Sequence, residues 1–325
     1  MTVLFNSVRP LYRCENLTAV WNAYNGNKTF IQGGYIDLTK YKDNNNYDVV
    51  VTDEFVRNKA PHQKIIMIAH GLTGGKLYGI DQPSGQFKFN PDSCKLVDYY
   101  ITSSEYGRKF AASAAGIPIE KCLPLGMPRT DAYINTRKGD GNTILSHYRR
   151  AYLYLPTFRA KYDKPAPFIN YEYLNFLLKE DELFVIKPHM FNKSKILSKS
   201  FTNIYEISSS KPTIPYLLDC DVVITDFSSA MFDAYFLNKP VVLTADENDS
   251  YLTTRGMYMK YPYEYSSRAL SIKSNEEKLI AFLRNAYTYG MTDIEYKCRE
   301  RTSGACDGQS SKRVVELIKS LENNS

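Results

Sequence analysis

The chain has 325 residues, of which 43% are hydrophobic and 23% are charged, a balance typical of globular proteins and unlike that of disordered chains. Its formal net charge of +6 and isoelectric point of about 8.8 suit polyphosphate substrates or an anionic membrane surface, but the excess is too mild to indicate nucleic acid. No run approaches the ~18 apolar residues of a membrane-spanning helix, and residues 1–10 lack the apolar segment of a signal peptide. We therefore expect a cytoplasmic protein, whose contact with the inner face of the cell membrane would be peripheral.

The 6 cysteines include no CxxC pair and no spacing typical of a zinc site. Reduced, mostly buried thiols in a cytoplasmic protein account for this pattern. The sequence therefore predicts no metal site built on cysteine.

Short apolar or β-branched runs alternate with helical patterns along the chain. The predicted strands are 47–51, 64–69, 97–102, 151–155, 183–186, 222–225 and 241–244. The predicted helices are 105–114, 169–179, 230–237 and 275–289, followed by a capped terminal helix over 307–318. This alternation predicts an α/β fold with parallel sheets and helices on both sheet faces.

The length predicts two domains of about 150 residues each. The glycine-rich stretch 138–142 interrupts the pattern before a new strand begins at Ala151, so we place the boundary near residue 145. The N-terminal domain would cover residues 1–145 and the C-terminal domain residues 146–325, with the last helix a candidate to pack back on the N-terminal domain. Because ligands of parallel α/β sheets bind beyond the carboxyl ends of the strands, polar residues directly after a strand are the candidate site residues.

The first candidate site follows the second predicted strand, where His70 and Gly71 begin a glycine-rich loop that includes Thr73 and Lys76. Glycines let the backbone approach a ligand closely, and a histidine can take a proton from a hydroxyl near neutral pH. The loop is not a Walker A phosphate loop, because Leu77 and not Ser or Thr follows Lys76. The alternative interpretation is a buried histidine hydrogen-bonded to the backbone beside a glycine-rich turn.

The second candidate site is Lys187-Pro188-His189, directly after the predicted strand 183–186. The strand delivers a cation and an imidazole separated by one proline, which restricts the turn. Either side chain could contact a phosphate, and the imidazole could instead protonate a leaving oxygen. The position at a strand end favours a functional role.

The third candidate site is the segment from Thr225 to Ser229, at the end of a predicted strand. Asp226 or Ser228 can cap the helix that follows, and the unpaired N–H groups at a helix start favour an anion, phosphate above all. The alternative is a purely structural cap, since Asp and Ser are common at helix starts.

The fourth candidate is Arg129, which follows a tight turn at Gly126-Met127-Pro128. An arginine that reaches an interdomain cleft could clamp a pyrophosphate with two parallel hydrogen bonds. Ordinary capping of a helix start by Pro128 to Asp131 is the alternative.

The order of these motifs along the chain is their most specific property. The segments are His70-Gly71, Gly126 to Asp131, Leu155 to Arg159, Lys187-Pro188-His189, Asp221 to Ser229, Arg255-Gly256 and Asp307 to Arg313. In this order they resemble the CDP-glycerol glycerophosphotransferases, the family of bacterial teichoic-acid primases and polymerases, with relatives that build capsular or surface polysaccharides. The resemblance covers roughly residues 47–318.

The resemblance implies a GT-B architecture, in which two Rossmann-like domains face a cleft. Such enzymes move a polyol phosphate, usually glycerol phosphate, from a CDP-linked donor to an acceptor hydroxyl and release CMP. The first domain would bind the acceptor, a lipid-linked carrier or an oligosaccharide, and the second would bind the CDP-polyol. The residue types at the candidate sites demand no tightly bound cofactor and leave open whether Mg²⁺ accompanies the donor.

Carried over to matching positions, the resemblance makes His70 the base that takes the acceptor proton, beside an acceptor loop with Gly71, Thr73 and Lys76. His189 would bind or protonate the donor pyrophosphate. The donor- and phosphate-binding set would be Lys187, Arg129, Thr225, Asp226, Ser228 and Ser229. The role of Asp226 stays open between orienting the serine loop, contacting the polyol hydroxyls and capping.

Two positions depart from the family pattern. The family commonly has Thr-Pro after the His-Gly pair, where this chain has Leu72-Thr73, and a proline where this chain has Met190. Both departures lie in loops that would shape the acceptor and donor pockets. The alternative functions are a GT-B glycosyltransferase or sugar-nucleotide epimerase that uses a UDP-sugar, and a non-catalytic nucleotide-binding relative.

Overall fold

The computed structural model describes residues 2–40, 47–72, 74–83, 89–157, 169–189, 195–245, 247–271 and 275–322. The chain forms two compact units, of which the first comprises Met1–Ile134 with Glu300–Ser325 and the second comprises Asn135–Arg299. The first unit thus ends before residue 145, where the sequence analysis placed the boundary, and the chain returns to it at Glu300.

The first unit is built on a parallel sheet of six strands. They are β1 (Val3–Ser7), β2 (Lys28–Gln32), β3 (Val49–Thr52), β4 (Lys64–Ile68), β5 (Tyr99–Ile101) and β6 (Cys122–Leu123). Their order across the sheet is β2-β1-β3-β4-β5-β6, and every neighbouring pair is parallel. All residues of β1 and β3 are buried, as expected for strands covered on both faces.

The second unit is built on a parallel sheet of five strands. They are β7 (Arg150–Leu155), β8 (Glu182–Ile186), β9 (Ile204–Glu206), β10 (Val222–Thr225) and β11 (Val241–Leu243). Their order is β11-β10-β7-β8-β9, again with parallel neighbours throughout. Tyr152, Phe184 and Ile224 of the central strands pack with the buried face of the helix 276–289 in one core.

Helices cover the two sheets. The α-helices of the described residues are α1 (Glu15–Ala23), α2 (Pro91–Lys95), α3 (Glu105–Ala115), α4 (Tyr171–Leu177), α5 (Ile214–Asp219), α6 (Ala230–Phe236), α7 (Ser250–Arg255), α8 (Glu276–Tyr289), α9 (Asp293–Ser303) and α10 (Ser310–Glu322). Shorter 3-10 helices cover Leu11–Arg13, Leu38–Lys40, Gly79–Asp81, Ile119–Lys121, Pro128–Tyr133 and Ile144–His147. The terminal helix α10 packs on α1 and on Pro128–Tyr133, within the first unit.

The predicted α/β class with parallel sheets is confirmed, and each predicted strand corresponds to an observed one. The strands β1, β2, β6 and β9 were not predicted. The six cysteines are free and buried, as expected. In the part of the chain that the structure describes, no helix combines the length and the apolar character needed to cross a bilayer.

The stretch that suggested a domain boundary belongs to the second unit, and the buried Asp219 carboxylate at the end of α5 holds it there. The backbone N–H groups of Gly139, Gly141 and Thr143 donate hydrogen bonds to this carboxylate over 2.9, 3.0 and 2.7 Å. Because these bonds fix residues 139–143 to α5, the boundary lies before the glycine-rich stretch and not after it near residue 145.

Candidate active site

The candidate residues occupy the carboxyl edges of both sheets, where ligands of parallel α/β folds bind. His70, Gly71, Lys76 and Arg129 belong to the first unit. The second unit carries Lys187, His189, Thr225, Asp226, Ser228 and Ser229. Thr73, Phe158, Arg159 and Met190 lie outside the described residues.

His70 follows the end of β4, and its imidazole contacts two carboxylates from the loop after β3. Its Nδ1 lies 3.4 Å from Asp53 Oδ2, and its Nε2 lies 3.3 Å from Glu54 Oε1. The Asp53 side chain is only 5% exposed, whereas those of Glu54 and His70 are 32% and 45% exposed. The imidazole is therefore held between one buried and one accessible carboxylate.

These two carboxylates change the proton affinity of His70. The contact with Asp53, followed by that with Glu54, raises the pKa of His70 to about 9, against the opposing effects of desolvation and of Arg9. His70 is consequently an imidazolium at neutral pH. A base role, which the resemblance implied, requires the ring to lose this proton first.

Asn16 on α1 links the end of β4 to the turn that carries Arg129. Its side-chain amide donates to the Ala69 carbonyl over 2.9 Å and accepts from the Arg129 backbone N–H over 3.0 Å. The side chain is 6% exposed, so these contacts form inside the first unit. Asn16 thereby fixes the residue that precedes His70.

In the loop after His70, the backbone conformation favours glycine at residue 74, whereas space does not require glycine at residue 71. A Cβ atom added at Gly71 would meet no atom within 4 Å, so space does not demand glycine there. Gly74 has φ of 120°, a conformation that side chains disfavour. Leu72 is buried and Lys76 is half-buried.

Arg129 is engaged within the first unit. Its guanidinium lies 3.4 Å from Glu15 Oε2, and the side chain is 10% exposed. A phosphate ligand at Arg129 would have to share this guanidinium with Glu15.

The Gly126 to Asp131 motif holds the start of α10. The Asp131 carboxylate accepts hydrogen bonds from the backbone N–H groups of Ser310 and Ser311, over 3.0 and 2.7 Å. Gly126 has φ of 85°, and a Cβ atom there would lie 2.3 Å from Ser310 Oγ and 2.4 Å from the Ala305 carbonyl oxygen. Close packing therefore requires glycine at this position.

The Asp307 to Arg313 motif completes the same contact region. The Arg313 guanidinium donates to the carbonyls of Leu125 and Ala305, over 2.9 and 2.6 Å. It also pairs with the Asp307 carboxylate at 2.8 and 2.9 Å. Two motifs far apart in the sequence thus contact each other and join the last helix to the first unit.

Lys187 presents a buried positive charge at the end of β8. Its side chain is largely buried, and its Nζ donates to the Ser209 carbonyl over 3.4 Å. Among the described residues no carboxylate forms an ion pair with this ammonium group. Burial accordingly lowers the pKa of Lys187.

A cavity of about 710 Å³ opens next to Lys187 in the second unit. It is lined by Pro188 and by residues of the segment 195–209, among them Lys195 and Ser209. The half-buried His189 follows Pro188 directly. The end of β8 therefore combines a buried cation, an imidazole and a concave surface.

The end of β10 is tied to the end of β7. The buried Thr225 hydroxyl donates to the Leu155 carbonyl over 2.6 Å, so it is engaged within the sheet. The buried Asp226 accepts a hydrogen bond from the Thr157 backbone N–H over 2.8 Å. These contacts orient the segment from which the two serines project.

Ser228 and Ser229 precede the predicted helix, α6, which begins at Ala230. Ser228 Oγ accepts a hydrogen bond from the Ala230 N–H over 3.3 Å, and Ser229 is exposed. Phe227, which precedes the two serines, stacks on Tyr251 of α7, and the ring centroids are 4.8 Å apart.

Sequence reasoning missed Asp53, Glu54 and Asn16. The first two follow the predicted strand 47–51 closely, so the strand-end rule that found His70 could also have found them. Nothing in the sequence distinguishes Asn16 from an ordinary polar helix residue.

Two α/β units, each with a parallel sheet and polar residues at its carboxyl edge, are the building units of the GT-B class of fold. The solved structure of the wall teichoic acid polymerase TagF is similar to this chain with a TM-score of 0.74 and 20% identity, covering 99% of this chain and 90% of that one. The chain belongs to the CDP-Glycerol:Poly(glycerophosphate) glycerophosphotransferase family, whose model matches residues 17–320. The resemblance seen in the sequence is thereby confirmed.

Two relatives are 26–28% identical to the chain over the residues that align. The teichoic acid poly(ribitol-phosphate) polymerase of Bacillus spizizenii is 28% identical over 274 residues, which make up 78% of this chain and 43% of the relative. The teichoic acid glycerol-phosphate primase of Bacillus subtilis is 26% identical over 291 residues, 85% of this chain and 74% of the relative. The chain therefore spans less than half the length of the first relative and about three quarters of the second.

Proposed function

We propose that the protein transfers a polyol phosphate from a CDP-linked donor to an acceptor hydroxyl and releases CMP. Glycerol phosphate is the polyol phosphate that we propose first. Family membership supports the reaction class. The names of the relatives include both glycerol-phosphate and ribitol-phosphate enzymes of teichoic acid synthesis. Synthesis of teichoic acid, capsule or another surface polysaccharide is the process that fits this reaction.

The observation that carries the proposal is the buried Lys187 ammonium group, which no carboxylate of the described residues neutralises. A buried charge without a counterion is unfavourable, so pairing with an anion would stabilise this ammonium group. The pyrophosphate of a CDP-linked donor is an anion of the required kind. Lys187 would therefore neutralise the donor.

The sheet register supports one donor site that includes both Lys187 and the serine segment. Ile186 pairs with Tyr154, and Thr225 pairs with Leu155, so β8, β7 and β10 end at the same edge. Two strand spacings separate β8 from β10, about 10 Å. A nucleotide in the cavity beside Pro188 would extend its phosphates along this edge, with Ser228, Ser229 and His189 as further ligands.

The transfer needs little covalent chemistry from the protein. The acceptor oxygen attacks the phosphorus that carries the polyol, the bond from that phosphorus to the CMP oxygen breaks, and CMP leaves. Catalysis then depends on position and on neutralisation of charge on the phosphate oxygens. His70, which belongs to the first unit, would take the proton of the acceptor hydroxyl. His189 would bind or protonate the leaving phosphate.

The proposal also covers the metal ion, the acceptor and the location of the protein. No group of three or more His, Cys, Asp or Glu residues within the described ranges is arranged to hold a metal ion. We propose that Mg²⁺, where the reaction uses it, enters with the donor pyrophosphate. The acceptor would be a lipid-linked carrier or an oligosaccharide, and the net charge of +6 suits peripheral binding to the anionic inner face of the membrane.

A donor panel tests the proposal. The protein is incubated with CDP-glycerol, CDP-ribitol or UDP-N-acetylglucosamine and with an oligomer of glycerol phosphate or ribitol phosphate, and released nucleotide is measured. CMP release that requires the oligomer is the expected result. Release of UDP would instead identify a glycosyltransferase, and conversion of the UDP-sugar to its epimer would identify an epimerase. Binding without release or conversion would identify a non-catalytic relative.

A further inference from the structure

The two carboxylates that contact His70 are unequal. Asp53 is buried after the end of β3, its Oδ2 lies 3.4 Å from His70 Nδ1, and its Oδ1 has no hydrogen-bond partner among the described residues. Glu54 is about one-third exposed and contacts the other ring nitrogen. Buried polar atoms normally find partners, so an unpaired carboxylate oxygen needs a reason to be kept.

We propose that Asp53 is a positioning residue that holds the His70 imidazole through Nδ1, while Glu54 is a displaceable carboxylate that the acceptor hydroxyl replaces at Nε2. This inference rests on the proposed transfer reaction and deepens it. It assigns to two adjacent acidic residues opposite effects on catalysis.

The sheet fixes Asp53 in place. Thr52, the residue before it, pairs with Met67 of β4, so Asp53 and His70 leave neighbouring strands at the same edge. A buried carboxylate beside Nδ1 favours the neutral tautomer that carries its proton on Nδ1, so that Nε2 can accept a proton. The same carboxylate stabilises the imidazolium that then forms. These are the two tasks of a residue that orients a base.

Glu54 competes with the acceptor. Because Asp53 already holds Nδ1, an incoming hydroxyl can reach the ring only at Nε2, which Glu54 contacts at 3.3 Å. The accessible Glu54 side chain can rotate toward water, whereas the buried Asp53 cannot. In the reaction the hydroxyl proton passes to Nε2 as the new O–P bond forms, CMP departs, and the ring then releases the proton to water.

The charged and titratable groups near the ring come from three elements. Asp53 and Glu54 follow β3, and both raise the pKa of His70, whereas Arg9 after β1 lowers it. Cys14, at the start of α1, interacts with Asp53 and with Arg9, and burial raises the pKa of its thiol. Removing either carboxylate therefore lowers the pKa of His70, and only the effect on turnover separates the two roles.

The test compares Asp53→Asn and Glu54→Gln with Asp92→Asn, an exposed carboxylate of the first unit that pairs with Lys95. Rates with CDP-glycerol and an oligomer of glycerol phosphate are followed from about pH 6 to about pH 10, which brackets both the ordinary and the raised pKa of His70. For Glu54→Gln we expect a lower KM for the oligomer and a rising limb of kcat/KM displaced to lower pH. Near neutral pH the rate should increase about tenfold for each unit of displacement.

For Asp53→Asn the limb should also move to lower pH, but the plateau of kcat should fall about 100-fold or more, because the ring is no longer held in the productive tautomer. Asp53→Glu is a second variant that keeps the charge and displaces it by one methylene. It should retain the raised pKa and still lose kcat. Asp92→Asn should behave like the wild type.

A proton NMR titration of the histidine ring signals, without substrate, separates this inference from the proposed function. The chain has only 4 histidines, and His70→Ala assigns the signal. Both neutral variants should lower the pKa of His70. An inactive wild type with these pKa changes would contradict the proposed function alone. An unchanged pKa in both variants, an unchanged kcat plateau in Asp53→Asn, or a loss in Glu54→Gln as large as in Asp53→Asn would overturn the inference.

Discussion

The carboxylate of Asp226 accepts a hydrogen bond of 2.8 Å from the backbone N–H of Thr157. The contact joins the loops after β10 and β7, two strands that pair in register. Of the three roles that the sequence leaves open for Asp226, the geometry favours orientation of the serine segment.

Substitution of Asp226 should therefore affect stability. Asp226→Ala leaves a buried N–H without its acceptor, which should lower the free energy of unfolding by about 1–3 kcal/mol in urea titrations. Asp226→Asn retains an acceptor oxygen and should cost less. Full stability of the alanine variant, together with lost affinity for CDP, would place Asp226 on the ligand instead.

Asp131 should stabilise the terminal helix. Its carboxylate accepts from the N–H groups of Ser310 and Ser311 at the start of α10, where negative charge is also favoured by the helix dipole. Asp131→Ala should lower the free energy of unfolding by about 1 kcal/mol or more. Asp307→Ala, which removes an exposed partner of Arg313, is the comparison and should cost less. Equal losses in the two variants would contradict the capping role.

The sequence predicts strands best where apolar residues are continuous. β10 lies where its apolar run predicts it, whereas β1 contains the polar Asn6, which is buried because its amide donates to the Gly34 carbonyl over 2.7 Å. The edge strands β2 and β9 are partly exposed and contain polar residues, so neither forms a continuous apolar run. Such strands depend on partners that a local pattern does not show.

The sequence likewise predicts some features of the candidate site and not others. Strand ends locate His70 and Lys187 because the rule needs only local information. The contacts of Arg129 with Glu15 and of Asp131 with α10 join distant parts of the chain. Sequence order alone could not separate motifs that bind a ligand from motifs that hold the fold together.

Lys187 should lower the stability of the folded protein and strengthen the binding of the donor. Lys187→Met removes a buried charge that no described carboxylate neutralises, so the free energy of unfolding should stay constant or rise. The dissociation constant for CDP should increase about tenfold or more, which calorimetry measures. Lys195→Met, at an exposed position of the cavity wall, is the matched control and should weaken binding less. Wild-type affinity in Lys187→Met would remove Lys187 from the donor site.

His70 should make stability depend on pH. Its pKa is raised to about 9 in the folded protein, so its contribution is complete below the ordinary pKa of about 6.5 and disappears as the pH rises through about 9. His70→Gln should therefore lower the free energy of unfolding most near pH 6, and the difference from the wild type should fade toward pH 10. The exposed His62 provides the control substitution His62→Gln. A difference independent of pH would contradict the ion pairs of His70.

The most direct test of polyol phosphate transfer is the mass of an oligo(glycerol phosphate) acceptor after incubation with CDP-glycerol. Transfer predicts acceptor chains lengthened by whole glycerol phosphate units, with one CMP released for each unit and no lengthening by His70→Ala. An acceptor of unchanged mass with CDP-glycerol and CDP-ribitol, together with sugar addition from a UDP-sugar, would contradict it.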